Sequence, residues 1–126
     1  MPIEGLQSFI TGSQKLLFGK DNPLIQEGRI ATAQVLSGTG ALRHGCDIIK
    51  QEIPSDFLVP DPTWLNHLRL IKYAGLNYQY YQYYDNNKKG LALPQILDRL
   101  SKARPGTPVL MHMCAHNPTG CDPSHD

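Results

Sequence analysis

An α/β fold with a largely parallel sheet is what the sequence predicts, and three observations predict it. Short apolar runs alternate with longer stretches of helical period; glycine, proline or small polar residues punctuate each change of period; and the first run leads through a turn of small residues into a helix. Strand, turn and helix repeated in that order imply parallel strands with helices covering both faces.

The elements follow in order. From Gly5 to Phe18, Leu6, Phe9, Ile10, Leu16, Leu17 and Phe18 recur mostly at helical spacing, and Gly19 with Asn22-Pro23 supplies a stop. Arg29 to Leu36 is a short apolar run that reads as a buried strand, broken by Ser37-Gly38-Thr39-Gly40; Ala41 to Gln51 then resumes a helical pattern. Phe57-Leu58-Val59 reads as a second strand, closed by Pro60-Asp61-Pro62-Thr63, where two prolines interrupt hydrogen bonding and impose a turn. Asn66 to Tyr73 reads as a helix stopped by Gly75, and Asn77 to Tyr84, crowded with tyrosines, as a strand. A polar loop from Asp85 to Gly90, a helix from about Pro94 to Ala103, a Pro105-Gly106 turn and a strand from Val109 to Met113 complete the alternation.

Composition narrows the function classes. Twelve basic against eleven acidic residues leave a formal charge of +1 with no long run of either sign, so no nucleic-acid or acidic-lipid partner is expected; a small neutral or anionic metabolite suits the chain better. Apolar content of 40% and a mean hydropathy of −0.34 fit a globular protein, and no apolar run approaches the ~20 residues that cross a bilayer, so no membrane partner is expected either. Cys46, Cys114 and Cys121 show neither paired nor zinc-type spacing, which suits reduced thiols in an intracellular compartment. The N-terminus has no secretory pattern.

Ligands of parallel sheets bind beyond the carboxyl ends of the strands, so three places there hold the candidate residues. Ser37-Gly38-Thr39-Gly40 presents hydroxyls and backbone N–H groups at a helix N-terminus, which suits a phosphate and equally suits an ordinary helix cap. Asp61 to His67 contains the only tryptophan, Trp64, able to stack on an aromatic ligand or to fill a core or rim position; His67 fits a structural role as readily as a catalytic one. The last place runs from His112 to Gly120, where Asn117-Pro118 is compatible with a cis peptide that aims the amide into a cleft, or with a turn that merely ends a strand. Two histidines flank Cys114, but no further ligand stands at metal spacing, so no metal is expected.

These places carry a resemblance. Ala115-His116-Asn117-Pro118-Thr119-Gly120 is similar to the signature of class I, aspartate-type aminotransferases. Pro2 to Leu6, Ala33 to Arg43, Pro62 to His67 and Tyr83-Tyr84-Asp85 resemble the same family in order and at nearly its separations. Only the tail after Pro123 and the stretch around Gln51 to Phe57 fit poorly, and the connection between Gly45 and Trp64 is a few residues short of the family pattern.

The resemblance implies a partial fold type I transferase: three α/β/α layers over a mostly parallel sheet, with residues 1–126 one incomplete cofactor-binding (large) domain and no separate second domain. It implies pyridoxal 5′-phosphate as cofactor, with Ser37, Gly38 and Thr39 gripping the phosphate, Trp64 stacking on the pyridine ring and Asn117 bonding the phenolic oxygen. His67 and His112 resemble residues standing behind, around the aspartate that pairs with the pyridine nitrogen. The implied reaction moves an amino group between aspartate or glutamate and a 2-oxo acid, in a homodimer; an aromatic amino acid is the alternative substrate. A cytoplasmic location is expected, with a mitochondrial one as alternative.

The family's Schiff-base lysine belongs to later sequence, and Lys50, Lys72, Lys88, Lys89 and Lys102 do not sit in its motif. The segment alone is therefore expected to lack the proton-moving base. A non-catalytic remnant, exposing apolar sheet edges and prone to associate, is the reading from another class. A generic nucleotide-binding domain is disfavoured, because no Gly-x-Gly-x-x-Gly follows the first strand.

Overall fold

The computed structural model describes residues 2–53 and 55–124, in two compact units, Met1–Ala41 and Leu42–Asp126.

In the first unit, helix α1 (Gln7–Phe18) ends where Gly19, at φ 86°, turns its N–H back to the Lys15 carbonyl. A one-turn helix, α2 (Pro23–Gln26), follows, started by the Asn22 side chain accepting from the Leu24 N–H at 2.9 Å. Asn22 thus serves both helices, its Nδ2 also donating to the Phe18 carbonyl at the end of α1 at 3.2 Å, while Pro23 is tolerated in the first turn of α2. The strand expected over Arg29 to Leu36 does not form. A strand exists only through a neighbouring ladder, and among the described residues this segment's backbone donates, apart from the turn bond of Arg29 N–H to the Leu24 carbonyl, only Gln34 N–H to the Glu4 carbonyl at 2.7 Å. Gly5 makes that approach possible: at φ 110°, a side chain there would collide with Gln34 Cβ. Helix α3 (Ser37–Glu52) starts at Ser37, so the small residues taken for a turn are its first turn.

The second unit holds the sheet. Strands β1 (Phe57–Asp61) and β2 (Tyr78–Gln82) are parallel, pairing Phe57 with Tyr78 through Asp61 with Gln82, and are joined by helix α4 (Leu65–Tyr73). After β2 comes a small hairpin, β3 (Tyr84–Asp85) and β4 (Gly90–Leu91), where a plain loop was expected. Helix α5 (Leu93–Ser101) then leads through the Pro105-Gly106 turn to Val109, which bridges Leu58 in parallel on the far side of β1. The path runs outward from β1 to β2 and back past β1. Right-handed crossovers in opposite directions place their helices on opposite faces, and the packing agrees. Cys46 and Ile49 of α3 and Leu68 and Ile71 of α4 pack with Phe57, Val59 and Tyr78, whereas Ile96 and Leu100 of α5 pack with Leu58 and Tyr81. The expected three layers are present within this unit.

The expected strand from Val109 to Met113 shrinks to the bridge at Val109, for a chemical reason. Leu58 N–H donates to the Pro108 carbonyl and Leu110 N–H to the Leu58 carbonyl; the next rung would be an N–H at residue 60 to the Leu110 carbonyl. Residue 60 is proline, buried inside β1, and has no N–H to give. Tyr81, its register partner on β2, supplies the missing donor: its hydroxyl meets the Leu110 carbonyl at 2.9 Å. Proline therefore does not end β1 itself, as expected, but ends the ladder on one side of it.

Candidate functional site

Three segments meet at the carboxyl end of the sheet in the second unit: the turn after β1, the end of β2, and the loop after Val109. The turn after β1 carries a cis Asp61-Pro62 peptide, and α4 then begins at once, with Trp64 as its extended entry residue accepting from the His67 N–H at 2.9 Å. His67, in the first turn of α4, is buried and shares a hydrogen bond of 2.9 Å between its Nδ1 and Thr63 Oγ1.

A line of aromatic rings grows from this point. Trp64 meets His67 edge to face at 5.3 Å, His67 meets His112 in the same way at 5.1 Å, and His112 lies tilted against His116 at 4.4 Å. His116 stacks face to face on Tyr83 at 3.7 Å. Burial, reinforced by the two neighbouring imidazoles, lowers the His67 pKa to about 4, and burial pushes His112 and His116 below the usual histidine value as well. All three rings are thereby held neutral. The tautomer of His112 follows from geometry, because its Nδ1 accepts the Asn117 N–H at 3.1 Å and its proton must then sit on Nε2. Nε2 of His112 and Nε2 of His116 are both buried without a partner among the described residues.

Of the residues expected to form the site, Trp64, His67, His112 and Asn117 are brought together. The Asn117-Pro118 peptide is cis. The Asn117 side chain is exposed and makes no hydrogen bond among the described residues. Ser37, Gly38 and Thr39 lie in the first unit, at the N-terminus of α3, with Ser37 at φ 58°. Their three N–H groups find no acceptor among the described residues, as expected for the opening turn of a helix.

Sequence reasoning overlooked the supports of the site. Thr63 orients His67, while Tyr83, Thr119 and Asp122 hold the loop that carries Asn117. Thr63, four residues before His67, had a readable signal, since helix entry brings such a pair together. Asp122 had none, because its partners are backbone N–H groups.

Comparison with known proteins places this geometry. The profile of the family described as aminotransferase class I and II matches residues 1–126. A cytoplasmic aspartate aminotransferase of Oryza sativa subsp. japonica is 46% identical over 100% of this chain and 31% of its own. A mitochondrial aspartate aminotransferase structure from Trypanosoma brucei superposes with a TM-score of 0.95 at 43% identity, over 98% of this chain and 33% of that one. An aromatic-amino-acid aminotransferase from Burkholderia pseudomallei, covalently bound to pyridoxal phosphate, gives 0.95 at 41% identity, over 99% and 32%. Names of the relatives include cytoplasmic, chloroplastic and mitochondrial forms, and among the described residues no helix is long and apolar enough to cross a membrane. The chain spans about a third of the length of the relatives it matches. With its full length matched and its fold shared with solved members, the chain belongs to the class I and II aminotransferase family.

Proposed function

We propose that this chain is part of the cofactor-binding domain of an aspartate-type aminotransferase and supplies residues that contact pyridoxal phosphate. The donor set fits that group. The N–H groups of Ser37, Gly38 and Thr39 and the two hydroxyls suit a phosphate dianion at the positive end of a helix dipole. Trp64 offers an indole for the ring, and the Asn117 carboxamide offers an N–H donor for a phenolic oxygen. The chemistry pyridoxal phosphate supplies when bound is that of an electron sink for the charge left at the substrate Cα.

The chain's own residues orient and tune. His67, locked by Thr63 through Nδ1, keeps Nε2 for a group beyond it. A neutral imidazole at His67 would add no positive charge that could compete with a carboxylate pairing the pyridine nitrogen of a bound cofactor. Asn117 binds without moving a proton, since an amide does not titrate. The substrates proposed are aspartate or glutamate with 2-oxo acids, and the assembly proposed is a homodimer, located in the cytoplasm as in the rice relative. Among the solved relatives, those named for aromatic amino acids support an aromatic substrate as the second reading.

The observation that carries this reading is the unbroken contact line Trp64–His67–His112–Asn117 at the carboxyl end of the sheet. Calorimetric titration of the full chain with pyridoxamine 5′-phosphate tests it, because that form cannot make imines with surface lysines. Saturable binding is expected, weakened roughly tenfold or more by Asn117→Ala and likewise by Trp64→Ala. Pyridoxamine without its phosphate should bind far less. Absence of saturable binding, or equal binding by both variants and the parent chain, sinks the reading.

A further inference from the structure

The loop Ala115–Asp122 is closed by its own side chains. The Asp122 carboxylate accepts the N–H groups of Ala115, at 2.6 Å, and of His116, at 2.8 Å, which joins the two ends of the loop. Across the middle, Gly120 N–H donates to the His116 carbonyl at 2.7 Å, and Thr119 Oγ1 both accepts the Cys121 N–H and pairs with His116 Nδ1. Outside the loop, Tyr83, the residue just after β2, touches both of its sides, with its ring stacked on His116 and its hydroxyl donating to the Cys121 carbonyl at 2.7 Å. His116 and Tyr83 are buried, so this contact ties the loop to the sheet rather than to solvent. Within that closed ring the Asn117 carboxamide alone among the loop's polar side chains is exposed and unspent among the described residues.

We propose that Tyr83, His116 and Asp122 are positioning residues for Asn117: together they hold its loop closed so that the free amide is presented in one orientation. Tyr83 is the anchor, since it is the contact that refers the loop to the strand, and Asp122 is the clasp. None of the three touches the cofactor; each acts through Asn117. The inference rests on the proposal that Asn117 contacts pyridoxal phosphate. The physical gain is preorganisation, because a loop ordered before binding spends no ligand affinity on ordering itself.

A double-mutant cycle on the full chain tests it, read as affinity for pyridoxamine 5′-phosphate. Tyr83→Phe removes only the hydroxyl bond to the Cys121 carbonyl and retains the ring. On the Asn117 background it is expected to weaken binding roughly fivefold, as loss of one ordering bond does; on the Asn117→Ala background it should change binding less than about twofold. Amide exchange at Ala115, His116 and Gly120 should quicken in Tyr83→Phe while β1 and β2 stay protected. Asp122→Asn repeats the cycle at an exposed position, should Tyr83→Phe fail to fold. Equal losses on both backgrounds, or no loss on either, would overturn the positioning role and leave the cofactor reading standing. An Asn117→Ala chain that binds as well as the parent would instead remove the cofactor contact itself, and the positioning role with it.

Discussion

Residue scale is where the pH behaviour of this chain is decided. His67, with a folded pKa of about 4 against an ordinary 6.5, takes up a proton more readily once the chain unfolds. Stability should therefore be independent of this group above pH 6.5, fall as pH drops from there to about 4, and level off below. The loss from His67 is at most about 3 kcal/mol, and His112 and His116, depressed by the same burial, act in the same direction. Urea unfolding midpoints measured across that window should fall, and His67→Gln should flatten the slope. Asp122, whose carboxyl two backbone N–H groups hold below the usual range, adds a loss only at lower pH, as it is protonated through its folded pKa. Tyr81 offers a second test. Burial pushes its hydroxyl up to about 12, so it stays a donor, and it satisfies the one carbonyl that Pro60 cannot. Tyr81→Phe should cost about 1–3 kcal/mol, because a partly buried carbonyl then loses its partner. A variant as stable as the parent would show that solvent reaches Leu110.

At the scale of elements, α4 sets the site because it is pinned twice. Its inner face buries Ile71, 1% exposed, against Phe57 and Val59, and its first turn carries His67 beneath Trp64. Ile71→Ala should destabilise by about 2–5 kcal/mol, in contrast to Ile48→Ala on the outer face of α3, 62% exposed, which should stay within about 0.5 kcal/mol. Denaturant midpoints of the two variants give the comparison. The elements easiest to read were those whose period survives alone: α1, α4 and α5 appear within two residues of expectation, and β1 and β2 within three. Residues 29–36 have the composition of a strand and remain irregular because composition does not supply a neighbour to pair with.

For the whole molecule, the apolar surface is the feature with consequences. Leu16, Leu17 and Phe18 of α1, Ile48 of α3, and Leu93 and Leu97 of α5 are exposed, in a chain that spans about a third of its relatives. Exposed apolar side chains such as these favour cover by a partner, as the reading of a remnant or interaction fragment also expects. Sedimentation velocity should show association that grows with concentration, and Leu16→Glu, at an 89% exposed position, should reduce it without lowering the unfolding midpoint. A chain that stays monomeric at every concentration would speak against that expectation.

Local sequence alone determined α1, β1, α4, β2 and α5, the Asn117 and Trp64 segments, and the family, because each is written in adjacent residues: period, turn chemistry and a contiguous motif. Tertiary structure alone decided that a histidine of α4 and two of the loop after Val109 stand in one neutral line, that a tyrosine hydroxyl replaces the N–H a proline lacks, and that Asp122 closes a loop which Tyr83 ties to the sheet. Those outcomes depend on which distant segments become neighbours once the sheet forms, and burial, tautomer and pKa are properties of that neighbourhood rather than of any residue's place in the chain.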